Sequence, residues 1–114
     1  MSKKLVTMDY VDIKNELKTI DNSRFSISNA YIKNGMVCIV GDLKSGIIGG
    51  LSGNLLPSKY CPIADIYAQI FYSRSVSDNN KIQSFSIDTK GGYYIWANAS
   101  LDKSQHFQFI YPLK

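Results

Sequence analysis

An all-β domain preceded by a short N-terminal α-helix is what this sequence predicts, on three observations. From residue 23 onward, short runs alternate apolar with polar residues and are separated by Gly, Asn, Asp and Pro. β-Branched and aromatic residues are plentiful, with 8 Tyr and 5 Phe, and Ala is scarce. Before residue 22 the period differs: Val6, Tyr10, Ile13, Leu17 and Ile20 recur at spacings of 4, 3, 4 and 3. That spacing is helical and matches the seam of a coiled coil. A chain of 114 residues with 45% hydrophobic content is one ordinary domain, able to bury its own core. Charged residues at 19% exclude a disordered, highly charged segment.

Thr7 or Asp9 can cap the helix, and Asp21-Asn22-Ser23 stops it. The chain thus divides into residues 1–22, a helical stalk or attachment segment, and residues 23–114, a β head. In heptad register Tyr10 and Leu17 fall at a, and Val6, Ile13 and Ile20 at d, a choice that points to three or four helices. These five are the candidate oligomerisation residues. The alternative is an amphipathic helix packed on its own domain. Next, Phe25, Ile27 and Tyr31 alternate with polar residues along a first strand. Lys33-Asn34-Gly35 is a type I′ hairpin signal, because Asn and Gly tolerate positive φ. Residues 36–40 are apolar on both faces, as in a strand covered on both sides. With Gly46, Gly49, Gly50 and Gly53, residues 44–54 read as a long flexible loop whose Ile47, Ile48 and Leu51 need cover from a neighbouring subunit.

Pro57 and Pro62 bracket a turn. Residues 63–73 read as one strand, with Ile66, Ala68, Ile70 and Tyr72 on one face and Tyr67 and Phe71 on the other. Asp78-Asn79-Asn80 is a loop, Phe85 and Ile87 lie on a strand, and residues 88–92 turn. Residues 93–98 place Tyr93, Ile95 and Ala97 on one face and Tyr94 and Trp96 on the other. Phe107, Phe109, Tyr111 and Leu113 alternate along the last strand. Short strands at this spacing indicate an antiparallel sandwich or barrel.

The parts of an active site are nearly absent. There is 1 His, His106, on the face of its strand opposite the aromatics. Cys38, Cys61 and His106 have no zinc-ligand spacing, and no nucleophile elbow, P-loop or metalloprotease motif occurs. The two cysteines read as free thiols. Asp42, Asp65 and Asp88 are the carboxylates a glycan hydrolase would need, although turn capping is their simpler role. The reading is therefore non-enzymatic, with no catalytic residue, no metal and no cofactor. The net charge is +4, but Lys and Arg fall singly apart from Lys3-Lys4, so no nucleic-acid surface is expected. No signal-peptide pattern and no membrane-length apolar stretch is present, so no membrane partner is expected. What remains is a surplus of aromatics. Tyr94 and Trp96 lie on one face and Tyr93 and Ile95 on the other, so only one pair lines the main core. The other pair meets a second layer, a subunit or a ligand, and Tyr94 and Trp96 are the candidate glycan-binding residues.

The segment Leu56-Pro57-Ser58-Lys59-Tyr60-Cys61-Pro62, following an Asn-Gly hairpin and a strand, resembles the Leu-Pro-x-Gly-Tyr-Arg-Pro turn of bacteriophage fibre β-domains. Lys59 stands where that turn has Gly, and Cys61 where it has Arg. The order continues with a strand–Gly–strand unit, matched by Phe85-Ser86-Ile87-Asp88-Thr89-Lys90-Gly91-Gly92-Tyr93-Tyr94-Ile95-Trp96. It closes on an aromatic strand, matched by Phe107-Gln108-Phe109-Ile110-Tyr111. The resemblance spans residues 27–113. It implies a jelly-roll-like antiparallel β-sandwich head, a homotrimer and a helical stalk. It further implies a virion structural role as a head fibre, tail fibre or baseplate receptor-binding protein, made in the host cytoplasm. Partners would be other virion proteins (capsid, tail or baseplate) and host surface glycans. A monomeric carbohydrate-binding module is the competing expectation.

Overall fold

A computed structural model describes residues 10–17, 24–71, 82–97 and 104–113 of the chain. Its strands are β1 (Tyr10–Asp12), β2 (Phe25–Lys33), β3 (Met36–Leu43), β4 (Gly49–Asn54), β5 (Ile66–Tyr67), β6 (Gln69–Phe71), β7 (Ile82–Ile87), β8 (Gly92–Ala97) and β9 (Gln105–Pro112). They form two antiparallel sheets, a larger one ordered β1-β2-β3-β9-β6 and a smaller one ordered β4-β8-β7-β5. The all-β expectation holds. The pairings β3–β9 and β4–β8 are nested: the chain passes from the larger sheet to the smaller after β3, crosses back for β6, rejoins the smaller sheet at β7 and ends in the larger sheet with β9.

The inner faces of the sheets meet in one aromatic core. Phe85 of the smaller sheet touches Phe25, Phe107 and Phe109 of the larger, with ring centroids 5.3, 4.8 and 4.9 Å away. Phe25 reaches back to Tyr93, edge to face at 5.0 Å. Ile39, Leu43, Ile87 and Ile95 complete this layer, each fully buried. Burial of each such side chain stabilises the fold by roughly 1.5–3 kcal/mol.

Two turns follow directly from their residues. Asn34 (φ 54°) and Gly35 (φ 75°) close the β2–β3 hairpin as the Asn-Gly pair predicts. Between β7 and β8, the Asp88 carboxylate accepts the backbone N–H groups of Lys90 (2.8 Å) and Gly92 (3.0 Å), and Gly91 takes φ 86°. The segment with Pro57 and Pro62 carries a 3-10 turn, Ser58–Tyr60. It is anchored by the buried Tyr111 hydroxyl, which donates to the Tyr60 carbonyl at 2.7 Å.

Four expectations are corrected. The helix expected through residues 10–17 is instead strand β1 followed by a 3-10 turn, Lys14–Glu16. Tyr10 points to solvent at 54% exposure while Ile13 is fully buried in the core, so the two do not share a seam. The cause is competition. A helix of so few turns is marginal alone, whereas the edge of β2 offers backbone bonds, including Ile13 N–H to the Ala30 carbonyl at 2.9 Å. Leu17 packs against the core, and Val6 and Ile20 lie outside the described residues.

The glycine-rich segment is not a loop throughout, since Gly49–Asn54 is strand β4. Its apolar residues need no second subunit: Ile47 is buried and Leu51 half-buried, and only Ile48 stays exposed. The strand expected over residues 63–73 is broken at Ala68. β5 belongs to the smaller sheet and β6 to the larger, while Ala68 N–H still bonds the Phe85 carbonyl at 2.8 Å. Finally, β2 is bulged between Ile27 and Asn29, so Tyr31 does not share the face of Phe25 and Ile27.

Candidate functional site

The outer face of the smaller sheet is built from β4, β8, β7 and β5. Along β8, Tyr93, Ile95 and Ala97 turn inward and are buried, so Tyr94 and Trp96 must project outward. They remain 45% and 41% exposed. Register surrounds them with small residues. Trp96 is paired with Gly50 and Ser84, and Tyr94 with Ser52 and Ser86. Tyr67 of β5, opposite Ser86, adds a third exposed ring at the far edge. One strand separates Tyr67 from Tyr94, which places their Cα atoms roughly 10 Å apart by strand spacing.

Gly50 and Gly53 explain how a glycine-rich strand serves this face. A Cβ at Gly50 would stand 2.6 Å from the Tyr94 hydroxyl and 3.2 Å from its Cζ, so the Tyr94 ring lies across the sheet over bare backbone. Gly53 does the same inside, where its Cβ would stand 2.8 Å from Tyr93 Cε2. Glycine seats an aromatic ring in each case, one per face of the strand. The Tyr93 hydroxyl accepts from Arg24 Nη1 at 2.8 Å, and the same nitrogen donates to the Ser52 carbonyl at 2.9 Å. Arg24 thus ties β4 to the core beneath the platform.

This arrangement is an aromatic platform with serine hydroxyl groups beside and between its rings. It can stack on the apolar face of a sugar ring while Ser52, Ser84 and Ser86 offer hydroxyl donors and acceptors. No nucleophile and base are brought together on it. No family model, curated protein or solved structure matches this chain.

The structure places the remaining sequence-selected residues elsewhere. Tyr10, Ile13 and Leu17, the described members of the heptad set, are split between solvent and core. Asp88 is occupied by its turn, and Asp65 is exposed after Pro62. Asp42 accepts a hydrogen bond from His106 Nδ1 on the outer face of the larger sheet, with both side chains well exposed. That partner was invisible in the sequence, because the pairing of Asp42 with His106 depends on β3–β9 register. Cys38 and Cys61 are buried free thiols. Among the described residues no three His, Cys, Asp or Glu side chains gather as a metal site, and no helix is long and apolar enough to cross a membrane. Tyr67 and the seating role of Gly50 were missed. Alternation alone marks Tyr67 as facing opposite to Ile66, but only register brings it beside Ser86.

Proposed function

We propose that this chain is a non-enzymatic glycan-binding head whose ligand face is the Tyr94, Trp96 and Tyr67 platform of the smaller sheet. The single observation that carries the reading is the exposure of Tyr94 and Trp96 together, amid Gly50, Ser52, Ser84 and Ser86. Large rings kept at a solvent face, with glycine beneath one of them, are wasteful for folding and useful for binding.

The setting comes from the sequence motifs, which resemble bacteriophage fibre β-domains: a virion fibre or decoration head that attaches to host surface glycans. The nested β3–β9 and β4–β8 pairings support a jelly-roll-like sandwich for that head. A homotrimer is part of the same proposal. Its contacts then rest on the heads, where Phe71 and Ile110 are 50% and 49% exposed, and not on a coiled coil through residues 10–17.

The experiment is Trp96→Ala against an array of bacterial surface polysaccharides, with circular dichroism and light scattering alongside. Lost binding with fold and mass unchanged supports the reading. Lost assembly, with no glycan bound by the wild type, assigns the rings to subunit packing. A wild-type mass of 12.8 kDa with retained glycan binding favours the monomeric carbohydrate-binding module instead.

A further inference from the structure

Strand β2 changes parity at its bulge. Before it, Phe25 and Ile27 face the core; after it, Ala30 and Ile32 do. The extra residue therefore turns Asn29, Tyr31 and Lys33 onto the outer face of the larger sheet. Without it, uninterrupted alternation from Phe25 would carry all three inward. Together with Tyr10 of β1, which is paired with Lys33, they line a cleft of about 310 Å³. Such volumes lie at the small end of ligand sites, suited to one or two rings and not to a folded partner.

The walls of this cleft are held in place. Tyr10 and Tyr31 meet edge to face, with centroids 5.8 Å apart and planes at 72°. Tyr31 stands opposite Cys38 in the β2–β3 register, and that thiol raises the pKa of its phenol. Cys38 Sγ in turn accepts from Gln108 Nε2 at 3.9 Å. Asp12, opposite Tyr31, has its carboxylate turned to the Lys14 backbone N–H at 3.0 Å. The charged member of the lining is thus an ammonium, Lys33, beside two phenol rings and one amide.

We infer that this cleft is a second binding site, distinct from the platform on the opposite sheet, for an acidic sugar unit: a polyhydroxylated ring carrying a carboxylate. The tyrosine faces meet the C–H face of the ring. The Asn29 amide donates and accepts at once, which suits adjacent hydroxyls. Lys33 meets the carboxylate as a point charge. A flat aromatic ligand fits less well, since edge-to-face rings leave no parallel slot. A phosphate group would call for several converging donors or a guanidinium fork, and the lining supplies one ammonium.

The test is titration of the ¹⁵N-labelled full chain with glucuronate and with glucose, followed by NMR shift mapping. Shifts should centre on Asn29, Tyr31 and Lys33, with glucuronate bound about tenfold more tightly, a preference worth ~1.4 kcal/mol. Lys33→Met should equalise the two sugars, and Tyr10→Ala should weaken both by about tenfold. Lys33 and Tyr10 are exposed, so neither change threatens the fold. Trp96→Ala should leave these shifts untouched, so the platform and the cleft stand or fall separately. Shifts at neither sugar, shifts confined to the Tyr94 face, or a glucuronate preference surviving Lys33→Met would each overturn the assignment.

Discussion

Replacing Gly50 by Ala separates ring placement from stability. The new Cβ would lie 2.6 Å from the Tyr94 hydroxyl, whereas ordinary contact begins near 3.4 Å, so the phenol must retreat by about 0.8 Å. It can do so, because the clash is with the free end of a half-exposed side chain and not with backbone. Retreat of 0.5–1 Å forfeits roughly a quarter to a half of each dispersion contact it opens. Against that, removing a glycine from a compatible strand position contributes about 0.4–1 kcal/mol through the unfolded chain. The two effects offset, and stability should change by less than about 1 kcal/mol. Gly49→Ala is the control. Nothing lies within 4 Å of its Cβ, yet φ is +75°, so it should cost about 1–2 kcal/mol while leaving Tyr94 where it is. Urea unfolding supplies the stability and glycan titration the binding. Gly50→Ala should keep its midpoint and lose affinity, and Gly49→Ala the reverse. Equal binding by Gly50→Ala and wild type would refute the idea that Tyr94 works as a ring laid flat on the sheet.

Gly41→Ala should be far more damaging, by about 3 kcal/mol or more. Its Cβ would meet the Ser26 carbonyl at 2.0 Å and the Phe107 ring at 2.8 Å, so a urea midpoint near wild type would show that β2 and β3 part easily. Tyr111→Phe strands the buried Tyr60 carbonyl and should cost about 1–3 kcal/mol in the same assay. Burial, and secondarily the Cys61 thiol, raise the Tyr111 pKa, so its contribution is present below the ordinary tyrosine value near 10 and is lost as pH rises beyond it. Alkaline unfolding should accordingly be shallower in Tyr111→Phe, and an unchanged alkaline limb would count against that assignment. On the acid side, Lys59 holds Glu16 below its usual pKa by hydrogen bond, with help from Tyr60. That contribution is present above the usual carboxylate value and fades as pH falls through the folded one. Glu16→Gln should flatten the stability profile below about pH 4.5, and a profile parallel to wild type would show the pair to be inert.

Local rules made much of this fold legible. Asn34-Gly35 specified its hairpin, and alternation divided Tyr93 to Ala97 into two faces, of which the structure buries that of Tyr93, Ile95 and Ala97. Where the sequence misled, a non-local partner outweighed a local signal. The spacing of Tyr10, Ile13 and Leu17 is helical on paper, but the unpaired edge of β2 and a vacant core position beside Ala30 favoured a strand and a short turn. Gly49, Gly50 and Gly53 carry the composition of a loop. Their strand is defined by tyrosines on β8 that need bare backbone to lie against. Neither outcome is written in a window of neighbouring residues.

The bulge in β2 carries this furthest. Phe25, Ile27 and Tyr31 are odd-numbered and fit one buried face, and Ser28 has no feature that marks it as the residue to be skipped. What decides the matter is packing across the sheet. Gly41 opposite Ile27 leaves a gap that the Ser26 carbonyl enters, and this fixes where β2 buckles. Ala30 and Ile32 then take the inward positions, and Tyr31 is released to the surface beside Tyr10. A glycine on one strand thereby determines which side chains of its neighbour meet solvent. Both aromatic surfaces of the molecule depend on such glycines, Gly50 beneath the platform and Gly41 behind the cleft. Ligand recognition thus depends on two residues that contribute no side chain of their own, and at Gly50 a new Cβ acts by displacing the Tyr94 ring.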